Sequence, residues 1–305
     1  MDIRGQDRSR NFEDRGVGRG GGGGGGGGLP VALIFMLMRR LGLKGSLVVG
    51  AIGAVAYFFL PAGARQLLLG QAGMSTAGSA PAGGSACELS KGHSSACDFS
   101  RVVLASTEQV WHTKFRQALL PNYGTEINTY REPTLVVFSR AVATQGCGSA
   151  TSAVGPFYCP ADEDLYIDPD FYQTMSSKLK APGDFAQAYV IAHEVGHHVQ
   201  NLIGSSRIKG RGDTKNQASV RVELQADCLA GVWGNSARSR LKITEDDLQE
   251  ALQAAHSIGD DSLGHSDEDK FTHGTSQQRV RWFRRGFDGG DPRQCDTFAG
   301  PYAQL

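Results

Sequence analysis

The residues with the clearest chemical potential in this 305-residue chain are His193-Glu194-Val195-Gly196-His197. Residues four apart share a helix face, so His193 and His197 can offer two imidazoles to one metal ion. Glu194 lies one position round, where it reaches a metal-bound water without crowding the metal. Such a set suits metal-assisted hydrolysis, in which the metal polarises a carbonyl and acidifies a water while the carboxylate carries the proton to the leaving group. A site of this kind with Zn2+ needs a third protein ligand and an open fourth position. Glu223 and Asp227 are again four apart, on the apolar, proline-free stretch 219–233 (SVRVELQADCLAGVW). Two carboxylates there are costly to bury unless paired or metal-bound. Glu223 can complete a two-histidine-one-glutamate zinc site, and Asp227 can accept the free N–H of a ligating histidine. The competing reading is an exposed acidic face shared with Arg221. His198 points about 100° away from His197 and is expected behind the site or at the surface. His273, in FTHGTSQQR (271–279), precedes a Thr/Ser-capped helix and could aim an N–H at a developing oxyanion; a structural role fits it equally well.

Histidines at this spacing with glutamate after the first are the HExxH arrangement of zinc peptidases. Around it, the chain resembles the bacterial predicted neutral zinc metallopeptidases, a family anchored by one N-terminal span. The likeness runs from about Leu104 to Phe298. It includes Cys147-Gly148, GPFYCPAD (155–162), GDFAQAY (183–189), HEVGHHVQ (193–200), SVRVELQADCLAGVW, IGDD (258–261), FTHGTSQQRVRWF (271–283) and CDTF (295–298). More distantly, HExxH with a later ExxxD is similar to the gluzincins. That resemblance implies His193, His197 and Glu223 on Zn2+, Glu194 as the base and Asp227 behind a ligand. In the membrane-bound gluzincins a THP motif followed by an arginine serves the transition state. Here Gly274 stands in place of that proline, with Arg279 six residues after His273.

The metal-binding histidines must be held by a helix, and residues 185–202 contain no proline, with Asp184 as the expected N-cap. Residues 107–120 (TEQVWHTKFRQALL) group Val110, Trp111, Phe115, Ala118 and Leu119 on one side of an amphipathic helix. Residues 134–138 (TLVVF) and 165–167 are expected strands. Strands before a metal helix and more helices after it give an α+β, zincin-like domain. The segment Asp164 to Asp168 is the expected edge strand, able to pair with extended substrate. Thr244 should cap a helix whose first turn carries acids. His256 and His265 are expected at the solvated surface, and the acidic 260–269 loop lacks EF-hand spacing.

Lys+Arg and Asp+Glu both number 31, which argues against a dedicated nucleic-acid binder. The balance is uneven along the chain: residues 1–45 hold eight basic and four acidic residues. Residues 1–28, Arg-rich with Gly20 to Gly28 in one run, are expected to be a disordered cytoplasmic arm. Residues 29–64 form a membrane-anchoring region. Within it the uncharged residues 45–64 are long enough to cross the roughly 30 Å hydrocarbon core as a helix. A cleaved signal peptide is the alternative. Arg39, Arg40 and Lys44 ahead of the span place the N-terminus in the cytoplasm and the rest outside. Residues 65–98 are expected to be flexible linker and 99–305 the zinc metallopeptidase domain. All six cysteines follow the span, consistent with disulfides in an oxidising compartment. Proximity favours Cys87–Cys97 and Cys147–Cys159, leaving Cys228–Cys295.

The expected protein is a zinc endopeptidase, single-pass in the bacterial cytoplasmic membrane, cutting peptide or protein substrates on the outer side. The alternatives are a non-catalytic envelope protein that binds peptides, and a zinc amidase acting on cell-wall peptides.

Overall fold

Thr134–Ser139 (β2), apolar over its four central residues, is an interior strand of the main sheet. The computed structural model describes residues 1–18, 84–89, 94–121, 123 and 129–305. Strands Phe12–Val17 (β1), Phe157–Cys159 (β5) and Asp164–Ile167 (β6) complete a four-stranded sheet in the order β1-β2-β6-β5. β1 and β6 run parallel to β2, and β5 runs antiparallel to β6. A separate hairpin pairs Ala141–Ala143 (β3) with Ser149–Thr151 (β4). Leu135 to Phe138 are all essentially buried, as expected for a parallel strand covered on both faces.

Seven helices follow the chain order: Ala86–Leu89 (α1), Ser94–Arg116 (α2), Phe171–Ser177 (α3), Asp184–Ile203 (α4), Lys215–Ala237 (α5), Glu245–Ser257 (α6) and Ser276–Gly289 (α7) among the described residues. The fold is therefore α+β. α4 is apolar nearly all round, which suits a central helix. It packs against α2, α5 and α6, while α5 packs along α7. Gly231 and Gly286 let the last two touch: a Cβ on Gly286 would lie inside the Cys228 carbonyl.

Several expectations change. Asp184 is not the N-cap of the metal helix but its first residue; the cap is Gly183, and the Glu250 carboxylate of α6 accepts the Phe185 N–H at 3.0 Å. Thr244 does cap α6, in a reciprocal pair with Asp247. The helix expected at 107–120 starts at Ser94 and ends at Arg116, because Phe99, Val102, Val103 and Leu104 also face the core. Residues 1–17 are not a disordered arm, since β1 is a strand of the main sheet. The linker expected over 65–98 is helical at 86–89 and from Ser94 onward, tethered by the disulfide Cys87–Cys97. Asp164–Ile167 is an interior strand, and β5 and β1 are the two edges. The disulfides Cys147–Cys159 and Cys228–Cys295 form as expected. The anchoring region 29–64 lies outside the described residues, among which no helix is long and apolar enough to cross a membrane.

Candidate metal centre

The site depends on how closely α4 and α5 approach. Gly196, between the two histidines, makes this possible: a Cβ there would stand 2.9 Å from the Ala226 carbonyl oxygen. At that separation the His193/His197 face of α4 meets the Glu223/Asp227 face of α5. His193 Nε2 is 3.2 Å from Glu223 Oε2, and His197 Nε2 is 3.5 Å from Glu223 Oε1. One donor atom from each of the three residues lies within 4.8 Å of the others.

Each histidine is held from behind. His193 donates from Nδ1 to Asp227 Oδ1 at 2.8 Å, and His197 from Nδ1 to Gln200 Oε1 at 2.8 Å. Both Nδ1 atoms being engaged, the Nε2 atoms are the ring nitrogens that face Glu223, the pair a metal would take in place of their protons. Asp227 is wholly buried and also accepts from Tyr189 Oη at 2.5 Å, Arg279 Nε at 2.8 Å and Arg279 Nη2 at 2.9 Å. Gln200 is fixed in turn by donating to the Val222 carbonyl and to Gln225 Oε1. Two imidazoles, one carboxylate and two oriented supports fit a tetrahedral Zn2+ site with an open position.

The charges agree with this arrangement. Burial raises the Glu223 carboxyl, but the neighbouring His197 and the hydrogen bond from His193 outweigh it and hold the group well below the usual range. Burial likewise opposes ionisation of Asp227, and Arg279 and His193 overcome it, so its pKa is lowered. Burial would lower His193, yet Asp227 and Glu223 carry it up to about 9 without metal. Glu194 differs from both carboxylates on α5. Burial dominates there and raises it above the ordinary glutamate value, which moves it toward the range of a general base working near neutrality.

A cleft of about 1270 Å³ opens over these residues and includes Glu194, Tyr158, Met175, His273 and Arg279 in its walls. The edge strand β5 contributes Phe157 and Tyr158, so the strand beside the metal helix is β5 rather than the 164–168 segment. His198 is buried and ties α4 to that strand. It donates to the Arg131 carbonyl at 2.7 Å and accepts from Tyr158 Oη at 3.1 Å, while burial pushes it down to about 4. His273 sits on the cleft wall with its side chain 48% exposed. Its loop hangs on buried Asp260, whose Oδ2 accepts the N–H groups of Thr272, His273 and Gly274 at 2.8, 2.7 and 3.1 Å. The His273 ring also lies close, Nδ1 being 3.3 Å from Asp260 Oδ1.

The structure thus brings His193, His197, Glu223, Asp227 and Glu194 together, with His273 on the same cleft. Arg221 belongs elsewhere: it is buried against Asp213 and the Thr297 carbonyl, not on an exposed acidic face. Sequence reasoning missed Gln200, Tyr189 and Asp260. All three lie inside motifs that carry the family resemblance, GDFAQAY, HEVGHHVQ and IGDD, but nothing in those motifs marks what each residue holds.

Residues 1–298 match the family described as "Putative neutral zinc metallopeptidase". The chain belongs to that family. Relatives are the "Uncharacterized protein YpfJ" of Escherichia coli K12, 49% identical over 69% of this chain and 74% of the relative. Another is the "Uncharacterized protein Mb2605" of Mycobacterium bovis, 41% identical over 64% of this chain and 68% of the relative. The "Uncharacterized protein Rv2575" of Mycobacterium tuberculosis matches to the same extent. No solved structure matches the chain at a significant level. Family membership carries Zn2+ as the metal, and the donor set fits that ion. The match begins at residue 1, so it takes in β1 together with the metal helices.

Proposed function

We propose that this chain is a zinc-dependent endopeptidase with a zincin-like domain. The observation that carries the reading is the set of two Nε2 atoms and one carboxylate, each histidine held at Nδ1, beside a carboxylate that is not spent on the site. Bound zinc would supply Lewis acidity toward the scissile carbonyl and toward water. His193, His197 and Glu223 hold the ion. Glu194, kept basic by burial, takes the proton of the attacking water and passes it to the leaving amine. Asp227 and Gln200 keep both imidazoles turned to the metal. His273, with its loop fixed by Asp260, donates to the oxyanion from the cleft wall. β5 offers an unpaired edge on which an extended peptide can add as a strand across the cleft.

An intact Glu194 favours catalysis over a peptide-holding scaffold, which has no use for a base. Three disulfides and the uncharged residues 45–64 support work on the extracytoplasmic face, in contact with lipid. The purified protein should hold one zinc per chain and cleave an unfolded protein substrate, whereas Glu194→Gln should keep the zinc and lose cleavage. A wild-type protein that binds no zinc, or a Glu194→Gln variant that cleaves at the wild-type rate, overturns the proposal.

A further inference from the structure

We propose that residues 1–18 and the metal-binding domain lie on the same face of the membrane. This replaces an arrangement with the N-terminus in the cytoplasm and the domain outside.

The first support is the sheet. β1 pairs with β2 in parallel, with Phe12 opposite Leu135, Glu13 opposite Val136, Asp14 opposite Val137 and Val17 opposite Ser139. Hydrogen bonds flank this register, Leu135 N–H to the Asn11 carbonyl and Gly18 N–H to the Ser139 carbonyl, each at 2.9 Å. A hydrocarbon core about 30 Å thick cannot lie between the partners. Without β1, β2, whose four central residues are apolar and buried, would become an exposed edge.

A second support is independent of strand pairing. The Asp14 carboxylate accepts from the backbone N–H of Ala86 at 2.9 Å and of Cys87 at 3.2 Å, and from the Ser85 hydroxyl at 2.6 Å. Asp14 is just before the 19–83 segment and Ser85 just after it. The described residues on either side of that segment therefore meet at one carboxylate, which puts both of its ends on one face of a bilayer. Further bonds hold the stretch before β1. Ser9 and Asn11 donate to buried Glu108, and Arg8 meets Asp98 through two hydrogen bonds of 2.9 and 2.7 Å.

Charge gives no reason for this stretch to stay in the cytoplasm. Residues 1–18 carry four basic and four acidic residues, so the basic surplus of the first 45 residues lies entirely at Arg19, Arg39, Arg40 and Lys44. A second copy donating β1 gives the same result, because every copy has the same topology.

The test uses the full chain produced in bacteria, with one specific protease site inserted in the Gly20–Gly28 run and, in a second variant, one after Leu305. Spheroplasts are treated with the protease before and after detergent lysis, with disulfide formation checked in each variant. Both sites should behave alike and, on the disulfide argument, both should be cut in intact spheroplasts. Both protected until lysis keeps the shared face and overturns the extracytoplasmic placement. One site cut and the other protected overturns the proposal. None of these outcomes depends on zinc or turnover, so they are read separately from the peptidase reading.

Discussion

Arg279 and Asp227 form an ion pair with almost no solvent access, at 2% and 0% exposure, joined by hydrogen bonds of 2.8 and 2.9 Å. Removing one partner of such a pair leaves an uncompensated buried charge and costs about 3–5 kcal/mol. Arg279→Met keeps most of the side-chain stem and leaves the Asp227 carboxylate with Tyr189 and the His193 imidazole, so its cost belongs at the lower end. Asp227→Asn keeps the shape and strands the guanidinium, which retains Glu223 at 3.9 Å, so its cost also belongs at the lower end. The double variant contains no stranded charge and should cost no more than about one single change. The coupling between the two sites is then about 3 kcal/mol. For a domain of this size each kcal/mol moves Tm by roughly 2–4 °C, so each single change should lower Tm by on the order of 10 °C. Denaturation should be followed in chelator, because bound metal adds its own stabilisation to the folded state. Zinc titration of Asp227→Asn should separately show affinity weaker by about 10–100-fold, as expected for loss of a ligand's carboxylate support. Effects that add within about 0.5 kcal/mol would mean that the two residues do not act as a unit, and the reasoning fails.

Gly196→Ala should destabilise the protein and weaken zinc at least about tenfold, although alanine is favoured over glycine in a helix interior by about 1 kcal/mol; a gain in Tm with unchanged zinc affinity would refute the close-approach argument. Asp260→Ala frees the three N–H groups that fix the His273 loop, so kcat should fall on the order of 10²-fold with zinc content unchanged. Unaltered kcat would remove His273 from the transition state. His198 is pushed down to about 4 from an unfolded value of about 6.5, so the unfolded chain binds more protons between those values. Its contribution is fully present above pH 6.5 and is lost as pH falls toward 4, by on the order of 3 kcal/mol. Stability curves of wild type and His198→Asn should therefore converge over that interval, and parallel curves would refute the assignment.

Much of the metal centre was legible because helical spacing is strict. His193 and His197, like Glu223 and Asp227, stand four apart, and that alone places each pair on one face. Gln200 and Tyr189 stand on the same helix but have ordinary polar roles elsewhere, and nothing in their spacing separates support of a ligand from simple packing. Asp260 was hidden because an aspartate in an acidic loop reads as solvated, whereas here one carboxylate replaces the turn's missing backbone partners. The edge strand was misplaced for a physical reason too. The apolar Leu165-Tyr166-Ile167 is the pattern of an interior strand, and Phe157–Cys159 is too short to announce itself.

The N-terminal strand shows where composition misleads. Phe12–Val17 reads FEDRGV, with three charges and a glycine in six residues, inside a region whose average is that of a disordered arm. Its place in the sheet comes from partners distant in the chain. Val137 and its neighbours need a strand beside them, Glu108 needs donors where it is buried, and Asp14 collects the N–H groups of Ala86 and Cys87. Each of these pairings is non-local, and none leaves a periodic trace in the sequence. Hydropathy and charge bias are local signals, so they favour one crossing with its two flanks apart. Strand pairing is a long-range constraint on the same residues, and it requires the two flanks to be together. Where the two conflict, a set of short hydrogen bonds that closes a sheet weighs more than a run of apolar side chains, because the bonds cannot form at all across a bilayer.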